Sequence, residues 1–204
     1  MRRLIQSLLP LFVSCFILLL GNGLINVLVP VTMSVQRIAP DTIGFVLSLY
    51  FVGLLIGALY SAKLVKRAGH IRMFAGCVAL AALCIFACSF SSNTIIFAMM
   101  RVLLGFCNAC AFTAMESWLS GSSTSKTRGK VLAVYNAVVL AGLFGGQFFM
   151  NITTPSDPSL FVIAGMLFCG ALIPIVLSRH PGPVVSDTQI MKLKTVFNRS
   201  PLGL

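Results

Sequence analysis

This 204-residue chain is short of charge: only 9% of its residues are Asp, Glu, Lys or Arg. A soluble domain carries roughly 25%, so the composition excludes an ordinary water-soluble fold. Acidic side chains are scarcest. Asp41, Glu116, Asp157 and Asp187 are all of them, and only Glu116 falls within an apolar run. The two histidines, His70 and His180, lie outside those runs. Hydrolysis by a serine inside a membrane needs a base within hydrogen-bond reach. Ser120-Gly121, a faint echo of such a nucleophile motif, therefore lacks its partner. The loops hold no cysteine. Cys15, Cys77, Cys84, Cys88, Cys107, Cys110 and Cys169 all sit in apolar runs, which excludes a disulfide framework and marks them as small packing residues. Cys107 and Cys110 form a C-x-x-C, but no intramembrane histidine accompanies them, and thiols in apolar surroundings are inert. A repeated carbonyl filter or a ring of charges, the marks of a pore, is also lacking. No A-x-A site follows the first run, so that run is a retained span and not a cleaved signal.

What the chain does have is apolar length. Hydrophobic residues make up 58% and mean hydropathy is +0.99. Six apolar runs can be drawn, near residues 9–33, 42–62, 73–91, 93–119, 131–151 and 159–178. A membrane-crossing helix needs about 20 apolar residues, and a span in lipid must satisfy its backbone internally. The expectation is an all-α polytopic membrane protein with six transmembrane helices over residues 1–180, in contact with the lipid bilayer. Residues 181–204 read as a cytoplasmic linker, because His180-Pro181-Gly182-Pro183 breaks the helix and a mixed, partly basic stretch follows. The ending Ser200-Pro201-Leu202-Gly203-Leu204 has no capping logic, which suggests truncation before a second bundle.

The net charge of +11 would suggest nucleic acid if it were gathered on a soluble fold. Its distribution excludes that partner. Arg2 and Arg3 precede run 1; Lys63, Lys66, Arg67 and Arg72 lie between runs 2 and 3; Lys126, Arg128 and Lys130 between runs 4 and 5; Arg179, Lys192, Lys194 and Arg199 after run 6. The remaining gaps hold only Arg37. Short loops rich in Lys and Arg stay cytoplasmic, so the alternation places both termini in the cytoplasm, with the basic ends against anionic lipid.

Arg101 is the sharpest functional signal, because it lies inside run 4, where a charge costs about 2.5–3.5 kcal/mol on insertion scales. Asn108 follows it by seven residues and shares its helix face. Asn22 and Asn26 lie in the outer half of run 1, and Asn136 and Gln147 in run 5. Glu116 is 15 positions beyond Arg101, about 22 Å along a helix, too far to pair with it and close to the basic loops. Trp118 is expected at the inner interface. Gly53 and Gly57 form one G-x-x-x-G; Gly142 and Gly146, with Gly145 between them, form a second. That spacing lets helix backbones approach closely. At the start of run 2, Asp41 or Thr42 is the expected helix cap.

Two motifs resemble the major facilitator superfamily. The stretch Ala62 to Arg72 is similar to its loop signature between spans 2 and 3, G-x-x-x-D-R-x-G-R-R. Arg67 and Gly69 match; Ala62 replaces the first glycine, Lys66 the aspartate and His70 the following arginine. Arg101 and Gly105 match the span-4 pattern R-x-x-x-G. Run 5 is glycine-rich but lacks the G-P core of the antiporter motif, so drug export gains no support. The chain looks most like the first half of the poorly characterised bacterial permeases of this family. The resemblance implies an N-terminal six-helix bundle of two three-helix inverted repeats, in a secondary active transporter moving a small solute by alternating access. It implies no enzyme activity and no cofactor, and it leaves room for proton coupling. Asn22, Asn26, Arg101 and Asn108 would line the cavity. Lys66, Arg67, Gly69, His70, Arg72 and Glu116 would form the gating loop, with Arg67, His70 or Arg72 pairing with Glu116. Gly53, Gly57, Gly105, Gly142, Gly145 and Gly146 would pack helices. The implied setting is a bacterial inner (plasma) membrane, and the implied partner is a missing C-terminal six-helix half or a second copy. The alternative is a truncated or half-sized membrane protein without independent transport.

Overall fold

A computed structural model describes residues 2–91, 93–154 and 157–178; the linker over 181–204 lies outside the described residues. Six helices follow one another: α1 (Arg2–Val35), α2 (Pro40–Ala68), α3 (His70–Ser89), α4 (Thr94–Ser122), α5 (Arg128–Gln147) and α6 (Ser159–Val176), with a 3-10 turn at Phe148–Asn151. All six are long and apolar enough to cross a membrane.

The helices outrun the apolar runs at their basic ends. Instead of ending near residue 62, α2 continues to Ala68, and Lys63, Lys66 and Arg67 ride on its last turns. Lys and Arg are good helix formers, and cations are favoured at a helix C-terminus by the macrodipole. The expected basic loop thus shrinks to one residue, Gly69, at φ 80 and ψ 164. Only glycine adopts that region at ease, so Gly69 lets α3 begin immediately at His70.

Helix caps differ from the expectation at one site. Ala39 is the cap residue of α2 and makes no side-chain bond. Pro40 takes the first-turn position its fixed φ suits, which leaves Asp41 and Thr42 inside the helix. For α4 the cap is Asn93, whose Oδ1 accepts the Ile95 N–H at 2.9 Å. Asp157 organises the entry to α6: its Oδ1 accepts the Ser159 N–H at 2.8 Å and its Oδ2 the Thr153 hydroxyl at 2.9 Å. Bonding from the Ser159 backbone, then from the Ser159 and Thr153 side chains, holds the Asp157 carboxyl below the ordinary aspartate range. A folded-state pKa that is depressed adds order above the unfolded value and loses it as pH falls through the folded one. The Asp157 bonds to Ser159 and Thr153 are therefore fully formed at neutral pH and weaken below about pH 3.9. Amide exchange at Ser159 should quicken in that acid window beyond the intrinsic trend, and Asp157→Asn should abolish the pH dependence.

The six helices repeat one packing scheme. The principal packed pairs are α2 with α4, α1 with α5, α1 with α6, α3 with α4, and α3 with α6. Exchanging α1 with α4, α2 with α5 and α3 with α6 maps this set onto itself. Burial follows the same exchange: 67% and 56% of the apolar stretches of α1 and α4 are buried, 39% and 39% for α3 and α6, and 17% and 22% for α2 and α5. So α1 and α4 are central, and α2 and α5 flank them. Even the register repeats. A Cβ on Gly53 would collide with the Val102 carbonyl and the Phe106 nitrogen; one on Gly146 would collide with the Leu20 carbonyl and the Leu24 nitrogen. Gly105 abuts the Tyr50 carbonyl as Gly23 abuts that of Leu143. On α3 the buried positions Val78, Ala81, Ala82, Ile85 and Cys88 share their spacing with Phe161, Ala164, Gly165, Phe168 and Ala171 of α6. Gly57 and Gly142 also sit at contacts: a Cβ on them would come to 2.6 Å from the Phe106 carbonyl oxygen and from Leu19 Cβ, respectively. A Cβ on Gly145 would meet only the end of the Leu20 side chain, at 3.0 Å.

Trp118 lies in the core at 6% exposure, not in an interfacial aromatic belt, because α4 is enclosed by its neighbours. The seven cysteines are free; Cys110 of the C-x-x-C points its thiol at the Gly57 carbonyl, 3.9 Å away.

Candidate functional site: a polar seam between α1 and α4

Polar side chains of the two central helices meet inside the bundle. Arg101 is 2% exposed. Its Nη1 donates to Asn26 Oδ1 at 3.1 Å, and its Nη2 to the Ile25 carbonyl at 3.4 Å. Its Nε is buried without a hydrogen-bond partner. Two turns further along α4, Asn108 donates to Asn22 Oδ1 at 2.5 Å and to the Tyr50 hydroxyl at 3.3 Å. Asn22 returns a longer bond to Asn108 Oδ1 at 3.5 Å and donates to the Leu18 carbonyl at 3.1 Å. The four candidates thus fall into two linked pairs, Asn26 with Arg101 and Asn22 with Asn108. Asn22, Arg101 and Asn108 are closed off within the bundle, whereas Asn26 is exposed.

The symmetry places the asparagines. Gly23-x-x-Asn26 on α1 matches Gly105-x-x-Asn108 on α4, and each glycine is the close-approach residue of its helix. Glycine brings the flanking helix in, and the asparagine one turn later turns to the seam. Arg101 has no such counterpart: the matching position on α1 is Leu19, a core residue at 1% exposure. The guanidinium is therefore a feature of one repeat only. Tyr50, half-buried on α2, was not singled out from sequence; its hydroxyl was its only signal in an apolar run.

The residues of the gating set lie elsewhere. Lys66, Arg67 and Arg72 are exposed around the Gly69 corner, while His70 is buried at 7% exposure. Glu116 is exposed near the C-terminal end of α4. Asn136 and Gln147 are exposed on α5.

A helical bundle of six apolar spans with a charged seam at its centre belongs to the class of polytopic membrane proteins. Comparison with known proteins makes the class specific. The family model of the Major Facilitator Superfamily matches residues 11–202, and the chain belongs to that superfamily; it is an integral membrane protein. It is 28% identical over 193 residues to an uncharacterized MFS-type transporter of Yersinia pestis (strain Pestoides F), an alignment covering 91% of this chain and 50% of the relative. With the uncharacterized MFS-type transporter YcaD of Salmonella newport (strain SL254) it shares 30% identity over 185 residues, covering 85% and 46% of the two chains. The chain spans about half the length of the curated relatives it matches.

Proposed function

We propose that this chain is one six-helix half of a secondary active transporter that moves a small solute by alternating access. A second six-helix bundle, in the same polypeptide or in a second copy, would close the solute path opposite it, with α1 and α4 facing that path. The observation that carries this reading is Arg101. A charge at its depth costs about 2.5–3.5 kcal/mol, while interhelical hydrogen bonds in membrane proteins return about 0.6 kcal/mol each. Its two bonds to neutral oxygens do not offset that cost, and its Nε has no acceptor. A buried cation in that state is stabilised by an anionic group on the solute or on the second bundle. Asn26, exposed and bonded to Arg101, would be its link to the path, and Asn22 and Asn108 would hold α1 and α4 in register beside it.

The basic ends Lys66, Arg67, His70 and Arg72 would face the cytoplasm of a bacterial cell, in the inner membrane, with both termini on that side. Glu116, the carboxylate near the C-terminal end of α4, would gate at that same end, and its carboxyl group would allow proton coupling. The role proposed is that of a carrier, with no catalytic residue. A second reading is a membrane bundle without independent transport. Expressing the chain alone and beside a second six-helix bundle separates the two. Solute accumulation only with both bundles supports the half-transporter; no accumulation in either case supports the second reading.

A further inference from the structure

Although consecutive, α2 and α3 pack on α4 far more than on each other, and a groove of about 630 Å³ opens between them. Gly53 and Ile56 of α2, Cys84 of α3, and Met99, Leu103 and Phe106 of α4 line it. Ligand pockets for small solutes carry a few convergent polar groups that fix orientation. Here the lining is entirely apolar, and the groove does not include Arg101 or the asparagines of the seam. Its rim is apolar too: Ile56 is 40% exposed and Met99 69% exposed. In an integral membrane protein such a rim, at mid-span level, opens to hydrocarbon.

By the register set out above, Phe149 takes the place of Ile56 and Leu167 the place of Cys84, two larger side chains at the matching positions. Phe149 packs against the core there. These two positions therefore accept larger side chains within the same packing scheme.

We propose that this groove is a binding site for the acyl tail of a membrane phospholipid, drawn from the leaflet at the Thr94 end of α4. Lined positions run from Ile96, near that end, to Phe106, so a tail entering from that leaflet lies along α4 and ends beside Gly53. Its headgroup stays at the membrane surface, outside the groove. The occupant is held by apolar contact alone, and the site selects for a flexible hydrocarbon chain over a polar solute.

Photo-crosslinking tests this on the full chain reconstituted in vesicles containing a phospholipid with a diazirine on its acyl tail. Expected is adduct formation at Met99, Leu103 or Phe106 several-fold above that at Met166 and Ile173, which are exposed apolar residues of α6. Filling the groove with the side chains of the other repeat, Ile56→Phe together with Cys84→Leu, should abolish the excess and leave labelling on α6 unchanged. Equal labelling of groove and α6 in the wild-type chain would overturn the proposal, and that arm needs no variant. So would undiminished labelling in the filled variant, or crosslinks from Met99 to a second polypeptide, because protein would then cover the groove.

Discussion

Arg101→Ala and Arg101→Lys each remove solute movement, by at least about tenfold, while the protein remains in the membrane at its usual level. The magnitude follows from the loss of the charge-assisted contact that Arg101 would make with an anionic group on the path, about 1.5–3 kcal/mol. Lysine keeps the charge, but it cannot present the planar fork that reaches Asn26 and the Ile25 carbonyl together. The two variants also differ in a useful way. Alanine removes the cost of burying the cation and should leave the bundle as stable as before or more so; lysine keeps that cost. Accumulation of the solute found by whole-cell screening, measured beside the amount of protein in the membrane, is the readout. Normal uptake by either variant would rule out the role assigned to Arg101.

The second large effect is on assembly. Gly53→Leu and Gly146→Leu should each push a flanking helix from a central one, α2 from α4 and α5 from α1, because backbone atoms occupy the space a side chain needs. Overpacking a well-filled site costs about 1–3 kcal/mol, and backbone cannot swing aside as a side-chain end can, so these substitutions fall at the upper end. Gly105→Leu and Gly23→Leu belong with them. Gly44, Gly76 and Gly129 have open space where a Cβ would go, and at Gly76, inside α3, alanine should stabilise by about 0.8–1 kcal/mol on helix propensity. Thermal unfolding in detergent separates the sets. Equal melting points for Gly146→Leu and Gly76→Ala would contradict the packing scheme.

Much of this architecture could be read from residue order. Apolar run length gave six helices, since lipid leaves the backbone no other partner. Arg101, Asn22, Asn26 and Asn108 stood out because polar groups at depth are costly, and the structure gathers all four in one seam. Sequence was weaker where a side chain's neighbours decide. The span count located the helices but not which flanks which, so Gly23 went unnoticed although it does for α1 what Gly105 does for α4. Its signal was present as the repeated G-x-x-N. Tyr50 was hidden for another reason: aromatic residues are ordinary in spans, and only the neighbour of its hydroxyl sets it apart. Boundaries drawn from hydropathy stopped at the first lysine of α2, whereas the helix continued to Ala68, because hydrogen bonding does not end where the lipid does. The groove over α4 has no sequence signature, since it arises from how α2 and α3 splay over α4 and not from any run of residues.

Threading through the membrane underlies every functional statement above, and impermeant thiol labelling measures it. Lys126→Cys lies in the basic turn between α4 and α5, and Thr154→Cys in the turn before α6; both positions are exposed, and the native chain serves as the blank. In intact cells the reagent should modify Thr154→Cys and reach Lys126→Cys only after permeabilisation. Modification of Lys126→Cys in intact cells would place the cationic ends outside, contradicting the arrangement and the transport role built on it.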